Sequence, residues 1–189
     1  MIKKFLDSYK NQVNLLTEKD NTIKIKKLAD DLYKSWKQKK NIFICGNGGS
    51  AANAMHIAND FIYGAGKNLG KGFKIEALSS NSSVITCLAN DIGYENIYSE
   101  QIRVKGEKGD VLIVLSGSGN SKNILNALKI ANKLGIKTHA ILGFDGGHAK
   151  KISKNSIHFS VNDMQVSEDL QLIVGHVCMK YFAEKKNKK

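Results

Sequence analysis

Residues 41–61 read NIFICGNGGSAANAMHIANDF. The short, mostly apolar run Asn41 to Cys45 ends in the turn Gly46-Asn47-Gly48-Gly49-Ser50. From Ser50 to about Tyr63 the apolar positions recur at helical spacing. A brief apolar run, glycines and then a helix read as a buried strand, a tight turn and a helix N-terminus. Glycines there let backbone N–H groups face outward, and the helix start adds partial positive charge, so the turn is an anion cradle. No Gly-Lys-Ser/Thr follows, which excludes a Walker A loop, and the G-x-G-x-x-G of a dinucleotide site is missing. A serine-bearing turn without lysine suits a sugar phosphate monoester better than a nucleotide.

The same design recurs at residues 110–121, DVLIVLSGSGNS, where an apolar strand runs into Ser116-Gly117-Ser118-Gly119-Asn120-Ser121. Further strands are expected over 73–78, 137–144 and 156–161. Helices are expected over 79–90 (short, after a polar turn), 95–106, 121–135 (ended by Gly135), 146–155 (short) and 165–184. Residues 64–72, GAGKNLGKG, read as loop. Apolar strands alternating with helices imply a parallel sheet covered on both faces, an α/β doubly wound fold of about five strands. Ligands in such sheets bind beyond the carboxyl ends of the strands, where both turns fall. Residues 1–40 read as an N-terminal arm of two helices, with Asp20 or Asn21 capping the second. The arm must pack outside the sheet or on another chain. Residues 41–189 form the sheet domain, and the whole is expected to be one domain, with no linker and no proline to mark another.

Composition narrows the class. With 189 residues, 42% of them hydrophobic and 24% charged, the chain has the size and balance of one globular domain. No apolar run approaches the roughly 18 residues needed to cross a bilayer, so no membrane role is expected. The N-terminus lacks a signal-peptide core. Cys45, Cys87 and Cys178 are scattered in apolar contexts, which suits reduced thiols and a cytoplasmic location. The net charge of +12 comes from 28 lysines and one arginine, Arg103, spread along the chain with a basic tail, AEKKNKK. Readers of nucleic acid lean on arginine forks, so the expectation is a solvated lysine surface and no nucleic-acid partner.

Two helices carry chemistry. His56 and Asp60 are spaced i, i+4 and share one helix face, as a pair of metal ligands or as a base with its orienting partner. His176 lies in an apolar stretch of the last helix, where burial without a role would be costly. Glu168 stands eight residues before it, a rise of about 12 Å, too far for both to reach one ion from one straight helix. The expectation is that neighbouring chains contribute one each. His139, His148 and His158 have no partner pattern and read as structural or exposed.

GNGGSAANAMH (46–56), LANDIGYENIYSEQI (88–102), DVLIVLSGSGNS (110–121) and GFDGG (143–147) together resemble the bacterial phosphoheptose isomerases of the sugar isomerase (SIS) fold. The resemblance runs in order over nearly the whole chain. It implies that residues 41–189 are a SIS sugar-phosphate isomerase domain. It also implies interconversion of sedoheptulose 7-phosphate and D-glycero-D-manno-heptose 7-phosphate, leading to nucleotide-activated heptose and lipopolysaccharide or other surface glycans. A homotetramer with sites at chain interfaces, and zinc or another divalent metal, follow from the same resemblance. By motif, Asn47, Gly48, Gly49, Ser50, Asp60, Asn90, Asp91, Ser116, Gly117, Ser118, Ser121 and Glu168 would bind substrate. Asp60 and His176 would be the base and the acid, and His56, Asp60, Glu168 and His176 the metal set.

Three positions depart from the family pattern. Asp60 stands for its glutamate, Glu168 for its glutamine, and Gly117 for the threonine of its Ser-Thr-Ser loop. The shorter carboxylate touches the chemistry, since positioning errors near 1 Å cost roughly 100-fold in rate. Glu168 would compensate by completing a set of two histidines and two carboxylates suited to zinc. An isomerase acting on a related sugar phosphate, a sugar-phosphate sensor, and a non-catalytic SIS regulator or adaptor of the replication-initiator-associating type are the alternatives. A pure adaptor has no reason to keep both histidines beside two carboxylates.

Overall fold

The structure is a computed structural model that describes residues 1–187; the last two residues of the basic tail lie outside the described residues. Five strands, β1 (Ile42–Cys45), β2 (Ile75–Ala77), β3 (Val111–Ser116), β4 (Lys137–Leu142) and β5 (Asn155–His158), form one sheet. Its order is β2-β1-β3-β4-β5, and every pairing is parallel. The strands are apolar throughout because both faces are covered. Alternate residues point to opposite faces. Ile42, Ile44, Val111, Ile113 and Leu115 face helices α2 (Lys19–Lys37), α3 (Gly49–Asn59) and α9 (Met164–Asn187). Phe43, Cys45, Leu112 and Val114 face α6 (Ile97–Lys105), α7 (Lys122–Lys133) and α8 (Gly147–Ile152).

The arm consists of α1 (Ile2–Val13), a 3-10 turn over Asn14–Thr17, and α2. Helix α2 buries Ile25, Leu28, Ala29 and Leu32 in the first of these cores, whereas α1 buries no residue. The expected cap is corrected. Glu18 precedes α2 without a side-chain capping bond. Asp20 lies in the first turn, and Asn21 turns back to donate to the Leu15 carbonyl at 3.0 Å. The expected loop over 64–72 is also largely helical. After α3 the chain makes a wider i→i+5 turn over Asp60–Gly64 and continues as α4 (Ala65–Leu69). Burial of Phe61 and Ala65 overrides the glycine signal. Only the end of that stretch is loop. At Gly72 a β-carbon would lie 1.8 Å from the Ile62 carbonyl oxygen, so the return of the chain toward β2 requires glycine.

One buried polar network ties the arm to the sheet. His139 on β4 is 1% exposed. Its Nε2 lies 3.3 Å from Asp31 of α2, and its Nδ1 meets the Asn155 amide at 2.9 Å. Burial pushes the His139 imidazole below its ordinary pKa, opposed by Asp31. The hydrogen bond from His139, aided by Lys137 against the cost of burial, holds Asp31 below the usual carboxylate range. Both folded pKa values are depressed, so in each case the unfolded chain takes up protons first as the pH falls. Stability is expected to decline on acidification below about pH 6.5 through His139, and again below about pH 4 through Asp31. Thermal unfolding followed from pH 8 to pH 2 checks this. Replacing His139 by glutamine should remove the first of the two declines.

Candidate functional site

The direction of chain progression across the sheet reverses between β1 and β3, and both sequence-identified turns leave the carboxyl ends of these adjacent strands. They share a cavity of about 280 Å³ lined by Asn47, Gly48, Gly49, Ser50, Ser116, Gly117, Ser118, Ser121 and Glu168, with Leu115 and Met164 as apolar walls. In the second turn Ser116 Oγ accepts from the Gly119 N–H at 3.0 Å, and Ser118 Oγ accepts from the Asn120 N–H at 3.3 Å. An accepting hydroxyl still has a proton to donate, so both serines can turn O–H groups on an anion. Ser121 precedes α7 with an extended backbone and makes no side-chain capping bond. Ser121 itself lines the cavity at the start of α7.

Gly117, the departure in this loop, has a local cause. A β-carbon there would lie 2.6 Å from Met164 Sδ, so Met164 fills the volume a side chain would need. Gly119 has φ +66° and its missing β-carbon would lie 2.1 Å from the Gly146 carbonyl oxygen. The second turn is thereby packed on the GFDGG loop, and the Ala149 N–H donates to the Gly119 carbonyl at 2.9 Å. His148, which the sequence offered no partner, donates from its own backbone to Asn120 Oδ1 at 3.0 Å and holds the far edge of this turn.

At the other end of α3 a second group converges. His56 Nε2 and His176 Nε2 are 3.2 Å apart, and Asp60 Oδ2 lies 3.4 Å from the first and 3.3 Å from the second. One chain supplies all three, because α3 and α9 pack side by side with Gly175 against Ile57. Donor atoms bound about 2.05 Å from a tetrahedral ion stand roughly 3.3 Å from one another. The three spacings match that value, and two imidazoles with one carboxylate leave a fourth position open, as in catalytic zinc sites.

Within one chain Glu168 stands apart from this cluster. The eight-residue rise along α9 carries it to the first turn, where a β-carbon on Gly49 would meet its Oε2 at 2.2 Å. It therefore faces the positive N-terminus of α3. Asn53 anchors the pair of helices by donating to the Glu168 carbonyl at 2.8 Å.

Asn90 and Asp91 lie near the end of α5 (Ser82–Ile92), exposed and bonded to each other at 2.8 Å. Within one chain they do not reach the cavity. The sequence also passed over Asn123. Its amide and that of Asn47 bond reciprocally, at 3.0 and 2.8 Å, and Tyr94 donates to Asn47 Oδ1 at 3.2 Å. The two bonds fix which way the Asn47 amide points. The only available signal was an asparagine, 2% exposed, just inside a helix start.

A doubly wound sheet with two serine and glycine turns at its switch point defines the class as a sugar-phosphate-binding α/β domain, and the SIS domain family matches residues 4–143. A phosphoheptose isomerase of Helicobacter pylori (strain Shi470) is 40% identical over 148 residues, covering 76% of this chain and 77% of its own. One from Aliarcobacter butzleri is 34% identical over 177 residues, covering 93% and 92%. The structure of a phosphoheptose isomerase from Francisella tularensis has the same fold, with a TM-score of 0.88 at 21% identity, over 97% of this chain and 96% of that one. The chain belongs to the phosphoheptose isomerase family of SIS-domain proteins.

Proposed function

We propose that this chain is a ketose–aldose isomerase that interconverts sedoheptulose 7-phosphate and D-glycero-D-manno-heptose 7-phosphate through an enediol. The observation that carries this reading is the convergence of His56, Asp60 and His176 at one end of a helix whose other end opens the cavity of the paired turns. Seven residues of α3 separate Gly49 from His56, about 10 Å of helix. A phosphate in the turns would thus leave the far end of an extended sugar near the cluster. Serine hydroxyls and helix N-termini hold the phosphate, and Asn47 and Glu168 meet sugar hydroxyls. Oδ2 of Asp60 lies in the cluster, while Oδ1 makes no hydrogen bond among the described residues and takes the proton from the carbon beside the carbonyl. His176 gives a proton to the oxygen from Nδ1–H, the ring nitrogen that is not in the cluster. His56, Asp60 and His176 would hold zinc or a similar divalent ion, which when bound supplies polarisation of the substrate oxygens.

The assembly is proposed to be a homotetramer with sites at chain interfaces. Helix α5, SSVITCLANDI, is apolar yet buries no residue in one chain. Ile92 and Tyr94 beside it are 43% and 54% exposed, and Ile62 and Tyr63 are 54% and 65% exposed. A neighbouring chain that covers α5 would bring Asn90 and Asp91 to a cavity. On this reading the product feeds nucleotide-activated heptose and surface-glycan synthesis in the cytoplasm. No helix among the described residues is long and apolar enough to cross a membrane.

Purified protein, stripped of metal and then loaded with zinc, is expected to convert sedoheptulose 7-phosphate to the aldose phosphate, followed by NMR of the anomeric protons. A chelator should lower the rate, and added zinc should restore it. No conversion by the zinc-loaded protein would sink the proposal.

A further inference from the structure

The molecule holds a second, differently built cavity at the amino-terminal ends of β1 and β2, the opposite end of the sheet from the paired turns. It measures about 290 Å³ and is lined by Trp36, Gly72 and five lysines: Lys37, Lys39, Lys40, Lys71 and Lys74. The lysines come from three places, the last turn of α2, the link to β1 and the segment before β2. No carboxylate among the described residues lines the cavity. Lys40 pairs with Glu107 at 3.7 Å, itself 73% exposed. Lys37, Lys39, Lys71 and Lys74 pair with no carboxylate among the described residues. Like charges gathered around one space repel, and an anion in that space relieves the repulsion.

The backbone holds the lysines in place. Helix α2 ends in a Schellman turn, with the Lys40 N–H on the Ser35 carbonyl at 3.0 Å and the Lys39 N–H on that of Trp36 at 3.1 Å. Lys39 occupies the left-handed position of this turn at φ +55°, where glycine is the usual residue. The chain keeps a lysine there at a cost in backbone strain. Across the cavity the Trp36 indole N–H donates to the Lys71 carbonyl at 2.9 Å, which fastens the segment carrying Lys71 and Lys74 to the indole. Tyr33 and Phe73 flank that ring, at centroid distances of 5.6 and 6.2 Å. The result is a cavity with the Trp36 indole and five lysine side chains in its lining, the Lys37 ammonium resting 4.9 Å from the Tyr33 ring centroid, a setting for an anion carrying several negative charges at close spacing.

We infer that this cavity is a binding site for a diphosphate group, carried by a nucleotide or as free pyrophosphate, separate from the sugar-phosphate site. Ammonium groups bind phosphate oxygens as point charges, and five lysines lining one space exceed what a single monoester needs.

Trp36 is the only tryptophan of the chain, so intrinsic fluorescence reports on this cavity directly. The unaltered protein is titrated with pyrophosphate, with ADP and with sulfate at matched ionic strength, and calorimetry follows the same additions. A saturable change with pyrophosphate and ADP, and not with sulfate, is expected. Equal affinities identify the diphosphate as the recognised group, and tighter binding of ADP identifies a nucleotide as the source. The double variant Lys39→Gly, Lys74→Gln should weaken binding about tenfold or more through the loss of two charge-assisted contacts. Glycine suits the backbone at 39 better than lysine does, so weakening there cannot come from misfolding. Isomerase activity of the double variant should match that of the unaltered protein. No saturable signal by either method, unchanged affinity in the double variant, or an equal response to sulfate would overturn the inference.

Discussion

Asp60→Asn is expected to lower isomerase turnover by about 10³-fold, the range attached to loss of a positioned general base. The change is nearly isosteric, and among the described residues the Asp60 carboxylate pairs with His56 and His176 alone, so the fold has little reason to respond. What changes is the chemistry. An amide oxygen cannot take a proton from carbon, and it is a poorer ligand than a carboxylate for a divalent ion. Two measurements separate these roles. Metal content of the variant reports on ligation, and turnover at saturating zinc reports on the base. A variant that holds zinc normally and still turns over about 10³-fold more slowly assigns Asp60 to proton transfer. Turnover close to that of the unaltered protein would remove Asp60 from the reaction. The sugar phosphate itself should still bind, because its phosphate is held by the turns at the other end of α3.

Gly119→Ala is expected to cause the largest loss of stability of any single methyl addition in the second turn. A left-handed backbone costs a non-glycine residue about 1–2 kcal/mol. Here the new β-carbon would also lie 2.1 Å from the carbonyl oxygen of Gly146. That neighbour is backbone and cannot swing aside, so overpacking adds about 1–3 kcal/mol. The sum is roughly 2–5 kcal/mol, a fall in Tm on the order of 10 °C for a chain of this size. Gly48→Ala is the matched comparison. Gly48 also has a positive φ, +55°, but a β-carbon there meets nothing within 4 Å. It should lose only the backbone part. If the two variants melt together, the close packing of the second turn on the GFDGG loop contributes nothing to stability.

The two arguments differ in how far the sequence alone supported them. Asp60 was legible because i, i+4 spacing on one helix is a local property, set by 3.6 residues per turn. The glycine turns were legible for the same reason, since an apolar run, small residues and a helix start follow one another along the chain. The five-strand α/β order followed from counting such units. The residues of 64–72 misled because glycine weakens a helix only modestly, and the burial of Ala65 decided the matter. Likewise Asp20 looked like a cap, but a 3-10 turn left Glu18 before the helix and sent Asn21 to Leu15.

What the sequence determined by itself was the architecture and the two ends of α3, because both rest on periodicity and on turn chemistry within about twenty residues. The tertiary structure decided which distant groups meet. His176 joins His56 and Asp60 within one chain, while Glu168 on the same helix reaches the turn cavity instead, because one straight helix presents residues eight apart to different places. Asn123 locks Asn47 across 76 positions of chain, and Met164 fills the space above Gly117. Five lysines that read as scattered surface charge gather around Trp36 only once α2, the link to β1 and the segment before β2 are brought together. Contacts of that kind depend on how the helices cross the sheet, and helix crossing is set by the packing of the whole core.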